Sequence, residues 1–180
     1  MTRAWVTAYR WPPTLGISLV LAIVSWAGTG GFLYVLNLNP IRVVWFTLLA
    51  GALVAVTPLT PSFGMLGRTF VRARRDRGLR MCGVLLVLVA DAAPVTLASS
   101  PPAAANWFAA LSALSIGSVI LLGELGWILT LATGSLSILL EHAVGGFPVS
   151  DMLARIPAPL PATLCLMAAV VYVHRGPASS

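Results

Sequence analysis

The sequence predicts an all-α fold, a polytopic membrane helical bundle of about six transmembrane helices with both termini cytoplasmic. Three observations predict it. Only 9% of the residues are charged and 58% are hydrophobic, against a charged share of about 25% in soluble domains. The apolar residues fall in long blocks rather than short amphipathic stretches, and about 20 helical residues cross a hydrocarbon core of about 30 Å. The arginines gather in the segments that an even helix count would place on one side of a bilayer.

The whole chain, 1–180, reads as a single transmembrane domain. Helices are expected over 15–36, 41–59, 81–98, 107–122, 127–143 and 161–173. The turn Asn37-Leu38-Asn39-Pro40 separates the first two, and Ser99-Ser100-Pro101-Pro102 ends the third, because Pro and Asn suit a chain leaving the hydrocarbon. Asn106 to His142 is nearly unbroken and apolar. As one helix it would run about 55 Å, more than a bilayer hides, so a break is expected at Gly123-Glu124-Leu125-Gly126. The first block is too long for a signal-peptide core and is read as a retained first helix.

All eleven basic residues are arginines, a composition that suggests a GC-rich, actinobacterial-type genome. The cytoplasmic basic loop 61–80 carries Arg68, Arg72, Arg74, Arg75, Arg77 and Arg80; Arg3 and Arg10 precede the first helix, and Arg175 follows the last. Only Arg42 and Arg155 fall opposite. Cytoplasmic flanks are enriched in Lys and Arg, which sets the orientation and places the protein in a bacterial inner membrane. The +6 charge is therefore assigned to lipid rather than to nucleic acid. Trp and Tyr favour the two interfaces. Tyr9, Trp11, Trp127 and Tyr172 are expected at the inner one and Tyr34, Trp45 and Trp107 at the outer, with Trp26 alone at mid-depth.

Few side chains can carry chemistry. Asp91 lies near the middle of the third helix, three residues before Pro94. An acid at the bilayer centre costs at least about 2.5 kcal/mol on insertion scales, so it faces a bundle interior or a cavity. It is read either as a pathway contact for an ion, proton or substrate, or as a protonated or hydrogen-bonded residue that ties helices together. Glu124 sits at the expected inner turn, where it either caps the fifth helix or meets the pathway. Glu141 and His142 are adjacent, about 100° apart around a helix, and lack the HExxH spacing of a zinc site, so they read as a solvated helix end. Cys82 and Cys165 match no ligand or redox spacing. No metal, no cofactor and no catalytic residue is expected: a phosphate loop, an aspartate-rich metal motif and a G-x-S-x-G elbow are all missing from the sequence.

Gly28, Gly30 and Gly31 in the first helix read as close packing or as a hinge, and Gly51 with Ala55 offers a small-xxx-small contact. In loop 61–80, Met65, Leu66, Phe70 and Val71 interleave with the arginines. That pattern suits a surface helix that either meets anionic lipid or docks a cytoplasmic partner. In the outer loop 145–160, Ser150-Asp151 can cap a short helix carrying Met152, Leu153 and Ile156, bracketed by Pro148, Pro157, Pro159 and Pro161.

This layout resembles an ABC-2-type exporter permease: six helices, cytoplasmic termini, an N-terminal interfacial segment (1–11), a coupling segment between helices two and three (61–80), and short re-entrant helices before helix six (145–161). Leu121-Leu122-Gly123-Glu124-Leu125-Gly126-Trp127-Ile128-Leu129 is similar to short actinobacterial membrane proteins of permease type. The resemblance implies a membrane subunit that works with a separate cytoplasmic ATPase and pairs with itself or with a second membrane subunit. The chain is shorter than usual for that family. Two other functions stand beside this one: a substrate-binding membrane subunit of a vitamin-type importer, and a non-transporting assembly subunit of a larger membrane complex.

Overall fold

The computed structural model describes residues 10–28, 31–33, 41–59, 73–97, 102–143, 152, 155–157 and 159–177. The fold is all-α, with six helices of 13 residues or more among the described residues. Helix α1 (Trp11–Ala27) opens with two prolines in its first turn, where backbone N–H groups have no intrahelical acceptor to lose. It ends at Ala27, with the Gly28 N–H donating to the Val24 carbonyl at 2.8 Å. The sequence expectation that this helix continues to Leu36 is corrected. Consecutive glycines disfavour helix by about 1 kcal/mol each, and the chain instead turns into an antiparallel ribbon of β1 (Phe32–Leu33) and β2 (Ile41–Arg42). The guanidinium of Arg42 lies over the Phe32 ring at 5.8 Å.

Helix α2 (Val43–Ala55) runs into a 3₁₀ turn, Thr57–Leu59. Helix α3 (Ala73–Leu97) begins at Ala73 rather than at Met81. Hydropathy misses this start because its first turns are charged, yet Arg, Ala and Leu are good helix formers. Asp76 in the first turn suits the helix dipole and pairs one turn on with Arg80 at 3.0 Å. The second half of loop 61–80 is thus helical, and 60–72 lies outside the described residues.

Helices α4 (Pro102–Leu122) and α5 (Gly126–Ala143) fold back on each other through a 3₁₀ turn, Gly123–Leu125. Gly123 has φ of +59°, a left-handed conformation that glycine adopts without penalty. The Trp107 indole N–H donates to Ser137 Oγ at 2.9 Å, and the Ser118 and Thr130 hydroxyls stand 3.4 Å apart. Helix α6 (Pro159–Arg175) closes the bundle. Of the outer loop only Met152 and 155–157 are described just before it. The Ser150-Asp151 cap lies outside the described residues.

The contacts sort the helix ends into two groups. Thr14 and Thr57 meet at 2.7 Å, the Tyr172 hydroxyl donates to the Leu59 carbonyl at 2.6 Å, and Arg77 reaches the end of α6. These bonds gather the start of α1, the end of α2, the start of α3 and the end of α6. At the opposite end, Trp45 and Trp107 meet edge-on at 4.9 Å, and the Asn106 amide donates to the Ile156 carbonyl at 3.0 Å. Successive helices therefore alternate in direction. Arg10, Arg74, Arg75, Arg77, Arg80 and Arg175 share the first end, while Arg42 and Arg155 lie at the other. Trp45 and Trp107, expected at the outer interface, meet at this opposite end as a buried pair. Trp26, expected at mid-depth, stands exposed in the last turn of α1 because that helix stops early.

Large apolar side chains stand on the outer faces as well as in the core. The outer faces carry Leu19 at 64% exposure, Trp26 at 62%, Leu86 at 71% and Met167 at 64%. Thr14, Ser18, Ser25, Thr47, Asp91, Asn106, Ser112, Ser115, Ser118 and Thr130 are buried. The apolar core lies between the helices as well, with Leu48, Ala52, Ala55, Val84 and Ile116 at its centre. Tyr172 is fully buried, and its bond satisfies a carbonyl on a fully buried Leu59. Tyr172→Phe leaves that carbonyl unpaired and is expected to cost about 1–3 kcal/mol, read as a lowered melting temperature in detergent.

Candidate functional site

Asp91 lies in the interior half of α3, where its side chain is 4% exposed. Gly51 on α2 faces it so closely that a Cβ there would come within 3.0 Å of Asp91 Oδ2. Glycine is thus required for the approach of α2 to the carboxyl, and the small neighbours Ala52 and Ala55 are fully buried beside it. From α1, Ser18 faces the same carboxyl. It does so without hydrogen-bond geometry: Asp91 Oδ1, Asp91 Oδ2 and Ser18 Oγ all lack a partner among the described residues. Ser25 Oγ, two turns further along the same buried stripe of α1, is also unpartnered among them.

Such an arrangement is costly, because a buried polar group without a hydrogen bond forgoes about 1–3 kcal/mol. Buried polar groups are ordinarily satisfied, so the unpartnered carboxyl makes Asp91 the candidate site. Pro94 shares the buried face with Asp91. It removes the N–H that the Ala90 carbonyl would accept and weakens the helix there. The Thr96 hydroxyl bridges this turn, donating to the Ala93 carbonyl at 3.0 Å. The reading in which a protonated or hydrogen-bonded Asp91 ties helices together and the reading of a pathway contact both meet the same surroundings, Ser18 on α1 and Gly51 on α2.

Some of the arginines named as docking residues also make contacts within the bundle. Arg74 Nη2 donates to His174 Nε2 at 3.1 Å. Arg77 donates to the carbonyls of His174 at 3.3 Å and Arg175 at 3.4 Å, the end of a helix that favours cations. Arg80 is buried and paired with Asp76. Arg74 and Arg77 thus join α3 to the end of α6, while the Arg80 pair lies within α3. Arg75 is exposed, and Arg68 and Arg72 lie outside the described residues. Glu124 is exposed on the hairpin turn, just before α5 and away from Asp91. Gly28 and Gly31 pack against Val43 at the close of α1, and Gly30 lies outside the described residues. His142 Nδ1 donates to its own helix at Ile138 at 2.8 Å. Among the described residues no three His, Cys, Asp or Glu side chains come together.

Sequence reasoning found Asp91 but missed its surroundings. The signal was present as the hydroxyls Thr14, Ser18 and Ser25, which fall on one side of an otherwise apolar α1. A second run, Ser112, Ser115 and Ser118 at helical spacing on α4, is buried against α5. No family model, curated protein or solved structure matches the chain.

Proposed function

We propose that the chain is a six-span integral protein of the bacterial cytoplasmic membrane, a non-catalytic, permease-type subunit of an ABC exporter that works with a separate cytoplasmic ATPase. The apolar outer faces of the bundle carry the membrane part of this reading. Soluble monomers rarely expose contiguous apolar patches beyond a few hundred Å², yet here Leu, Ile, Val, Met and Trp cover the outer faces of α1, α3, α5 and α6. Lipid covers such faces, and the polar groups then belong inside.

The dimensions agree with that reading. Among the described residues Ala104–His142, at 39 residues, is the one stretch long and apolar enough for a membrane crossing; the turn Gly123–Leu125 falls within it, and in this reading it makes two passes. The 17 residues of α1 and of α6 reach about 25 Å each, near the lower limit for a tilted or locally thinned crossing. The arginine-rich end would face the cytoplasm and its anionic lipid. A second copy or a second membrane subunit completes the assembly. The convergence of Asp91 and Ser18 favours the importer-type binding subunit as a second reading, because such a subunit needs polar groups directed inward.

Exposed Arg75 separates docking from folding, since Arg74, Arg77 and Arg80 are engaged within the bundle. Purification from native membranes in mild detergent is expected to bring along ATP-hydrolysing activity, which Arg75→Glu reduces while the helical signal persists. Preparations from native membranes that hydrolyse no ATP would overturn the exporter reading.

A further inference from the structure

We propose that Asp91, served by Ser18, is a proton-exchange site at the centre of the bundle. A buried acid is accommodated by an ion pair, by a hydrogen-bond network or by a bound cation. Neither of the first two is made among the described residues. A hard metal ion takes six or more oxygens, whereas the side-chain oxygens facing one another here are Oδ1, Oδ2 and Ser18 Oγ. Among the described residues no three His, Cys, Asp or Glu side chains gather as a metal site would need. A proton needs one carboxyl oxygen and one hydroxyl to deliver it, and those are present.

The surroundings leave Asp91 electrically alone. Helices α1, α2 and α4 carry no charged residue, and the other charged groups of α3 are Arg74, Arg75, Asp76, Arg77 and Arg80 in its opening turns. On α6 the charged or titratable groups are Cys165, Tyr172, His174 and Arg175; on α3 the remaining one is Cys82. Among the described residues no basic side chain of a packed element therefore pairs with the carboxylate. Access runs along α1 from the arginine-rich end: Thr14, in contact with Thr57 at 2.7 Å, then Ser18 one turn further, about 5.4 Å along the axis, then Asp91. On uptake, hydronium gives its proton to a carboxylate oxygen and leaves as water; on release a water takes the proton back. The carboxyl passes between one negative charge and none beside the turn that Pro94 weakens, so protonation state and helix geometry are joined at one point.

Use of this proton in transport rests on the membrane-subunit reading, whereas the exchange itself is measurable on the purified protein. Infrared difference spectra recorded while bulk pH is stepped, in water and in heavy water, are expected to show a carboxylic C=O band. It appears on acidification, shifts in heavy water and is lost in Asp91→Asn. Ser18→Ala retains the band at a shifted frequency and slows its appearance. Asp91→Glu keeps a responsive band displaced from the native position, so the proposal stays testable if Asp91→Asn misfolds. Wild-type spectra indistinguishable from those of a folded Asp91→Asn, or a band that ignores bulk pH, would overturn the proposal. Neither result touches the topology.

Discussion

Gly126→Val is expected to prevent the α4–α5 hairpin from closing, and Gly126→Ala to destabilise the bundle by about 1–3 kcal/mol, the range for overpacked sites. Gly126 has φ of −58°, so the demand is for space and not for an unusual backbone. A Cβ there would sit 2.7 Å from the Ser118 carbonyl carbon and from the Val119 nitrogen. Those are backbone atoms of a helix, which cannot rotate aside as a side chain would. The helices must separate, loosening the contacts of Ser118 with Thr130 and of Trp107 with Ser137. Gly117 is the control: a Cβ there meets nothing within 4 Å. Gly117→Ala is expected to be neutral or stabilising by up to about 1 kcal/mol, the helix-propensity difference. Thermal melting followed by circular dichroism separates the pair. Equal stability of Gly126→Ala and the native protein would contradict the hairpin.

Asp91→Ala is expected to raise stability, by about 1–3 kcal/mol, the usual cost of an unsatisfied buried polar group. The direction carries the argument. A carboxyl that tied helices together through an ion pair or a hydrogen bond would lose stability on truncation, because its partners would be left exposed to the apolar interior. Here neither Asp91 oxygen has a partner among the described residues. A more stable but inactive variant is the pattern expected when a residue is kept for function at the expense of the fold. Denaturant titration of the purified protein checks it, and a drop of similar size would return Asp91 to a structural role.

Much of the architecture was legible because hydropathy reports long apolar helices well. The turn at Gly123 was legible for two reasons: a helix from Asn106 to His142 would be too long, and two glycines flank Glu124. The end of α1 was not. Phe32, Leu33 and the residues after them stay apolar, and apolarity does not tell a helix from a ribbon; the glycines at Gly28 and Gly31 were the better guide. The start of α3 was hidden for the opposite reason, because its opening turns are charged and held by Asp76 and Arg80. Asp91 was conspicuous as an acid in an apolar run. Its neighbours Ser18 and Gly51 come from other helices, and a single sequence does not reveal which helices touch. The arginines were legible as a group, but the reach of Arg74 and Arg77 to α6, unlike exposed Arg75, follows only from where α6 ends.

The central claim is a six-span bundle in which the hairpin turn, both termini and the arginines share the cytoplasmic side. A topology reporter fused at Leu125 tests it most directly, with companion fusions at the C-terminus and within 145–160. The account predicts a cytoplasmic reading at Leu125 and at the C-terminus, and an external reading within 145–160. An external reading at Leu125 would contradict it.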